Sequence, residues 1–324
     1  MKLVIQIPCF NEAQNLPQTL KDLPKKIDGL DTVETLVIDD GSTDGTAKVA
    51  KECGVDHIIE LKRNRGLATA FQIGIRNALA LGADIVVNTD GDNQYDARDI
   101  PKLIKPILEG KAEFVVGCRP IRNHPEFSTL KKVLQRLGSW FLRRMSKTDV
   151  PDAASGFRAY SRETCLHLII HSRFSHCMET LIQAGNTGIA VSWTNIRINP
   201  KTRSSRLFNS KAQYLLKSGE TILTMSSLYA PGRFFSSLAF CFLVPAFVLG
   251  GRFLYLSLWG FREPGTHLPS LILFSIFSLT ALVMLSLAVL GELLKTHRKL
   301  NEEILYELKA NSSPKNGKDS SINI

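Results

Sequence analysis

The sequence predicts an α/β domain built on a mostly parallel sheet, followed by a two-helix transmembrane hairpin. Three observations carry this. Short apolar runs alternate with helix-period segments over the first 120 residues, polar clusters follow several of the runs directly, and two long uncharged or nearly uncharged stretches lie between Phe234 and Leu294. The 324 residues have room for one large domain or two smaller units. Lys and Arg number 40 against 30 Asp and Glu, a formal charge of +10, which suits nucleotide phosphates, lipid phosphates, an acidic membrane surface or nucleic acid.

Taken in order, the predicted strands are Leu3 to Ile7, Thr35 to Ile38, His57 to Leu61, Ile85 to Asn88 and Phe114 to Val116. Helices are expected near Leu16 to Leu23, Thr46 to Cys53, Leu67 to Leu81 and Ile100 to Leu108. Leu130, Val133, Leu134, Leu137, Phe141 and Met145 then form a helical stripe flanked by Lys131, Lys132, Arg136, Arg143 and Arg144. Such a helix either packs its stripe on its own domain or rests on an anionic membrane. A further strand over Ala190 to Ile198 precedes a basic loop, Lys201 to Arg206.

From Phe234 to Phe261 the only charge is Arg252, and from Leu268 to Leu290 there is none. Each stretch is long enough to cross roughly 30 Å of hydrocarbon. Lys211, Lys217 and Arg233 precede the first span and Lys295, Arg298 and Lys299 follow the second, so the positive-inside rule puts both outer ends in the cytosol. Arg252 is expected to snorkel toward the far side, with Tyr255 and Trp259 in an aromatic belt. The expected division is 1–210 for the catalytic domain, 211–233 for a juxtamembrane segment, 234–294 for the spans (about 234–258 and 268–291) and 295–324 for a cytoplasmic tail, polar and disordered after Asn311. Six scattered cysteines without a C-x-x-C pair read as reduced thiols, and Pro8 and Asn11-Glu12 interrupt the opening apolar run too early for a secretory signal. The catalytic part is therefore expected in the cytosol.

Ligands of an open parallel sheet bind beyond the carboxyl ends of its strands. Here the first strand runs into Pro8-Cys9-Phe10-Asn11-Glu12, the second into Asp39-Asp40-Gly41-Ser42-Thr43-Asp44-Gly45-Thr46 and the fourth into Asp90-Gly91-Asp92-Asn93-Gln94. Asp39 or Asp40 either accepts hydrogen bonds from a base or ribose or simply closes a turn, and Thr43 or Asp44 caps the next helix. Asp90 and Asp92 offer two hard oxygen ligands and Gln94 a carbonyl oxygen, a set suited to Mg²⁺ or Mn²⁺ neutralising a departing diphosphate. The chain lacks a P-loop and a G-x-G-x-x-G, which argues against ATPase and dinucleotide chemistry.

The ordered set P-C-F-N-E, V-I-D-D-G-S-T-D-G-T, N-R-G-L and T-D-G-D-N-Q-Y resembles the family-2 glycosyltransferases of the GT-A fold, a Rossmann-like catalytic domain with a mostly parallel sheet. Within them it is most similar to the polyprenyl phosphate glycosyltransferases, dolichyl-phosphate mannose synthase among them. The resemblance covers roughly Met1 to Arg206. It implies nucleotide contacts from Pro8, Phe10, Glu12, Ile38, Asp40, Asp90 and Gly91, and metal ligation by Asp90, Asp92 and Gln94. Asp92 and Arg119 then carry the catalysis, with Arg119 near the donor phosphates and the incoming lipid phosphate. Ser155 and Arg158, in D-A-A-S-G-F-R, are implied on the acceptor side, and Arg136 and Ser139 at the acceptor phosphate. Lys201, Arg203 and Arg206 match a basic loop that closes over the diphosphate, although Arg203 stands where relatives have glycine, and Phe10 where relatives often have tyrosine.

The implied reaction is inverting transfer of a sugar from a nucleotide diphosphate sugar to a polyprenyl phosphate at the cytoplasmic membrane face. The expected partners are those two substrates and the membrane, not nucleic acid, and a homo-oligomer is compatible with the sequence. The rival expectation is an anchored enzyme acting on a sugar hydroxyl, which needs a carboxylate base near the acceptor; Asp152 is the candidate. A processive synthase fits less well, since no Q-x-x-R-W is present, and a non-catalytic scaffold leaves Asp90 and Asp92 without a purpose.

Overall fold

In the computed structural model, described for residues 1–120, 143, 146–170, 176–200, 219–220, 223–224, 226–259 and 268–312, all five expected early strands form at the expected places. They are β1 (Lys2–Cys9), β2 (Thr32–Asp39), β3 (His57–Glu60), β4 (Ile85–Asn88) and β5 (Phe114–Cys118). Helices α1 (Leu16–Asp22), α2 (Thr46–Glu52), α3 (Leu67–Ala80) and α4 (Ile100–Leu108) alternate with them. Leu3, Val4, Ile5 and Ile7 of β1 are fully buried because the strand is covered on both faces, which is why it reads as an apolar run broken only by the buried Gln6 rather than as an alternating one.

Three later elements complete the domain: β6 (Arg158–Ser161), α5 (Arg162–His167) and α6 (His176–Thr187). A last strand, β7 (Val191–Asn195), is shorter than the expected Ala190 to Ile198. The strands form one seven-stranded sheet in the order β3-β2-β1-β4-β6-β5-β7. β6 is antiparallel to both β4 and β5, with Asn88 opposite Arg158. Its first residue therefore lies on the edge where the parallel strands end, and the segment 152–157 that leads into it joins the loops after β1, β2, β4 and β5.

Past the sheet, α7 (Pro231–Trp259) and α8 (Leu268–Ser312) are the two long apolar helices. Both are long and apolar enough to cross a membrane. Phe247 is 73% exposed and Leu258 68% exposed, and an exposed side chain of this size forgoes about 1.5–3 kcal/mol of burial. On these helices the small residues Ala239, Ala246, Ala281 and Ala288 are buried, and Phe242 meets Phe277 with ring centroids 6.2 Å apart. A Cβ on Gly250 would lie 2.9 Å from the Phe274 ring and one on Gly291 2.5 Å from Pro231 Cβ, so glycine sets the helix separation, as in membrane helix pairs.

The chain forms two compact units, Met1–Ser205 with Glu302–Ile324, and Arg206–Asn301. α8 continues helically to Ser312, and its last turns belong to the catalytic unit. Lys309 Nζ donates to the carbonyls of Leu166 and Leu168 at 3.1 and 2.8 Å, satisfying the open end of α5. The Tyr306 hydroxyl donates to Glu163 Oε1 at 2.8 Å, and its ring stacks on His167 with centroids 4.3 Å apart. The predicted amphipathic helix over Leu130 to Met145 falls almost wholly outside the described residues.

Candidate active site

The site is assembled from loops whose backbone is pinned residue by residue. After β1, Asn11 takes a left-handed conformation with φ 56°, its amide donates to Ser42 Oγ at 2.8 Å, and its own Oδ1 accepts from the Thr43 amide at 2.9 Å. The Glu12 amide donates to Thr46 Oγ1 at 2.9 Å, so the loops after β1 and β2 are stitched together. Asp39 Oδ1 accepts from the Ser42 amide at 3.0 Å and closes the turn there. Gly41, at φ +71°, could not carry a side chain, because its Cβ would lie 2.5 Å from the Arg63 carbonyl carbon. Asp40 is 3% exposed, and its carboxylate accepts from the amides of Arg65 and Gly66 at 2.7 and 2.8 Å. This explains N-R-G-L physically: Asp40 holds that segment against the sheet edge.

The loop after β4 carries the acidic pair. Gln6 Nε2 donates to Asn88 Oδ1 and Asn88 Nδ2 donates to the Gly156 carbonyl, at 2.9 and 2.8 Å, tying the end of β4 to the entry of β6. The Gly156 amide donates to the Tyr95 hydroxyl at 2.9 Å. Asp90 sits against that turn: a Cβ on Gly156 would be 3.1 Å from Asp90 Oδ1. No described residue donates a hydrogen bond to the Asp90 carboxylate. Burial, followed by the nearby charge of Asp92, pushes its pKa up to about 7.

Asp92 Oδ1 accepts from the Gln94 amide at 3.1 Å, which orients the second carboxylate. Among the described residues no group of three or more His, Cys, Asp or Glu is placed to hold a metal. Two adjacent carboxylates, Asp90 and Asp92, with the Gln94 side-chain carbonyl oxygen beside them, have the chemistry of a hard divalent cation's ligands.

Arg119 follows β5 at the same edge. Its Nε donates to Asp152 Oδ2 at 2.7 Å, its Nη2 to Asp152 Oδ1 at 3.0 Å and its amide to Oδ2 at 3.3 Å. Asp152 is almost fully buried, while 28% of the Arg119 side chain remains exposed. The loop 93–96 is clamped from the other side: the Asn199 amide donates to the Gln94 carbonyl at 2.9 Å, and Arg197 pairs with Asp99 at 2.8 Å. The chain thus passes beside Gln94 immediately before the basic loop. Lys201, Arg203 and Arg206, like Arg136 and Ser139, lie outside the described residues.

Two expected acceptor-side contacts, Arg158 and Ser155, are corrected. Arg158 does not face an acceptor phosphate. It is fully buried, and its guanidinium donates to the carbonyls of Ser155, Ala153 and Cys177 and to Thr180 Oγ1 at 2.6–2.8 Å, so it serves as an internal brace. Ser155 is likewise fully buried, and its hydroxyl accepts from the Phe157 amide at 3.4 Å. Pro8 and Ile38 are buried strand residues paired across β1 and β2. Phe10 is 40% exposed at the end of β1, Glu12 is buried with Oε2 accepting from Asn15 Nδ2, and Gly91 packs so tightly that a Cβ would lie 2.8 Å from Cys9 Sγ.

Sequence reasoning gave no role to Tyr95, Asn88 or His176. Tyr95 closes the T-D-G-D-N-Q-Y motif and was the most findable. His176 is buried behind Asp90, stacked on Phe71 with centroids 4.1 Å apart, and burial with the nearby Arg158 charge holds its pKa down to about 3.

An open sheet with an acidic pair and a partly exposed arginine on one edge fits a nucleotide-sugar-dependent glycosyltransferase of the GT-A type. The model of glycosyl transferase family 2 matches residues 4–168, just over half of the 324, and the chain belongs to that family. It is 32% identical over 200 residues to the UDP-N-acetylglucosamine–dolichyl-phosphate N-acetylglucosaminyltransferase of Methanococcus voltae, covering 55% of this chain and 78% of the relative. It is 30% identical over 171 residues to the undecaprenyl-phosphate mannosyltransferase of Micrococcus luteus, covering 51% and 68%. Among solved structures it is similar to glucosyl-3-phosphoglycerate synthase of Mycobacterium tuberculosis in complex with Mn²⁺, UDP-glucose and phosphoglyceric acid. That match has a TM-score of 0.52 and 20% identity, and covers 69% of this chain and 78% of the other.

Proposed function

We propose that this glycosyltransferase moves a sugar from a nucleotide diphosphate donor to a polyprenyl phosphate at the cytoplasmic face of a membrane, with inversion at the anomeric carbon. The observation that carries the reading is Arg119, a partly exposed side chain whose guanidinium is fixed by Asp152 at the edge that also holds Asp90. Two relatives at about a third identity are named for transfer to a lipid phosphate, and α7 and α8 are suited to hold the enzyme where such a lipid lies.

A phosphate monoester with a second pKa of about 6 is already largely ionised at neutral pH, so the nucleophile needs no strong base. One of its oxygens bonds to the anomeric carbon while the bond from that carbon to the diphosphate oxygen breaks. The electron pair leaves with the nucleoside diphosphate, and no proton has to move. Mg²⁺ or Mn²⁺, when bound by Asp90, Asp92 and Gln94, supplies positive charge for the diphosphate. Arg119 contributes N–H donors to anionic oxygens, and the loops pinned by Asp40, Asn88 and Tyr95 keep the reacting groups aligned.

Two experiments test this. Nucleotide sugars are screened with polyprenyl phosphate in detergent, and the product is expected to be a sugar phosphodiester, with unphosphorylated polyprenol inert. A glycoside on a hydroxyl, identified by mass spectrometry, refutes the acceptor. For topology, a reporter active only outside the cytosol is expected to work when inserted at Gly265 and fail when fused after Ile324. Equal activity at both positions rules out the hairpin.

A further inference from the structure

We propose that Asp152 is a positioning residue for Arg119 and not a general base; the proposal rests on the transfer reaction above. Asp152 is the candidate carboxylate for a hydroxyl-directed mechanism. A base must lie within hydrogen-bond reach of the proton it removes and keep a lone pair aimed at it. Both Asp152 oxygens are turned instead to Arg119, in side-on pairing to Nε and Nη2, and Oδ2 also accepts the Arg119 amide.

The pairing is built in from behind. The Ser155 amide donates to the Asp152 carbonyl at 3.3 Å, closing a turn. Arg158 then fixes that turn through the carbonyls of Ala153 and Ser155 at 2.7 and 2.6 Å. Asp152 is thus an immobile acceptor held at the end of β5. Arg119 supplies the adjustable partner, and it is Arg119 that is partly exposed.

The geometry also sets what Arg119 can offer. Side-on pairing consumes Nε–H and one Nη2 hydrogen, which leaves both Nη1 hydrogens and the second Nη2 hydrogen for an anion. The second Nη2 hydrogen and one Nη1 hydrogen lie side by side on the outer edge of the planar guanidinium, the arrangement that meets phosphate oxygens in pairs. Without Asp152 the same side chain would have freely rotating torsions and a choice of anions, including the Asp90 carboxylate nearby. The pairing therefore orders the arginine before substrate arrives and keeps it from being captured by the metal-binding carboxylates.

A double-mutant cycle separates the two roles. Asp152→Asn, Arg119→Gln and the double variant are prepared as full-length protein, and unfolding midpoints establish that each is folded at the assay temperature. The cycle is read on whichever acceptor turns over, so failure of polyprenyl phosphate as acceptor counts against the reading above and leaves the coupling measurable. Asp152→Asn alone is expected to lower kcat/KM by roughly 10- to 100-fold, since a mispositioned group is costly. In the Arg119→Gln background it should cost less than about threefold, because there is no arginine left to position. The loss is also expected to be constant across pH 6 to 9. A further tenfold loss in the Arg119→Gln background, or removal of an acidic limb from the rate profile, assigns Asp152 to proton transfer and overturns the proposal. Asp152→Ser carries the same cycle should the Asn variant not fold.

Discussion

Asp92→Asn is expected to lower sugar transfer by on the order of 10³-fold, and saturating chelator should do the same to the unaltered protein. Asn keeps the shape and the oxygen that accepts the Gln94 amide but removes the charge that a divalent cation needs. Asp90→Asn should be equally damaging to transfer, yet its effect on stability should have the opposite sign. The Asp90 carboxyl is pushed up to about 7 by burial and by Asp92, well above the ordinary carboxylate value. A raised acid contributes stability that is present at pH 4 and below and is lost as pH rises through about 7. Metal-free protein should therefore weaken between pH 4 and pH 8, while the Asn variant, which cannot ionise, should not. At pH 8 in chelator the variant is expected to be more stable by on the order of 2–4 kcal/mol, with the difference largely gone at pH 4. Urea midpoints at the two pH values measure this. Equal differences at both would show that the Asp90 charge is not strained in the metal-free fold. Activity measured with added Mn²⁺ separates loss of the metal from loss of the fold.

That a residue can be costly to the fold and necessary to the chemistry also explains which parts of the molecule were legible in the sequence. The five parallel strands were legible as short, mostly apolar runs, and β1, β2 and β4 end in polar clusters, so there periodicity and function point to the same boundaries. β6 was hidden. Arg158-Ala159-Tyr160-Ser161 is short, begins with a charge and carries no alternation that distinguishes it from a loop. Its antiparallel insertion between β4 and β5 is a tertiary fact, set by pairing partners more than 40 residues away in sequence.

The same insertion misled the reading of D-A-A-S-G-F-R. The motif does lie on the active edge, but Ser155 and Arg158 face inward from it and Gly156 presents its bare Cα to Asp90. Side-chain direction at a strand entry cannot be read from a motif. Neither can the difference between a carboxylate that waits for ligand and one, like Asp40, that is already occupied by two backbone amides.

Arg158→Met is expected to reduce stability by about 2–4 kcal/mol, because the buried carbonyls it serves lose their donor while the cost of burying its charge is recovered. Arg158 is fully buried and bonded to three carbonyls and one hydroxyl, and its guanidinium carbon lies 5.5 Å from the Phe114 ring centroid. Methionine fills most of the volume but donates nothing. The carbonyls of Ala153, Ser155 and Cys177 would each be left buried without that donor, at about 1–3 kcal/mol apiece before relaxation. Arg158→Lys discriminates further. A single ammonium cannot span three carbonyls that the planar guanidinium reaches from different nitrogens, so the Lys variant should still lose about 2 kcal/mol or more. A phosphate contact, by contrast, would survive in part, because lysine also binds phosphate. The expected result is thus a fall in urea midpoint for both variants, with transfer lost in step with the folded fraction and with the order of the Ala153–Ser155 turn that sets Asp152. Midpoints unchanged from the parent protein, combined with a selective rise in KM for the lipid phosphate, would return Arg158 to the acceptor site.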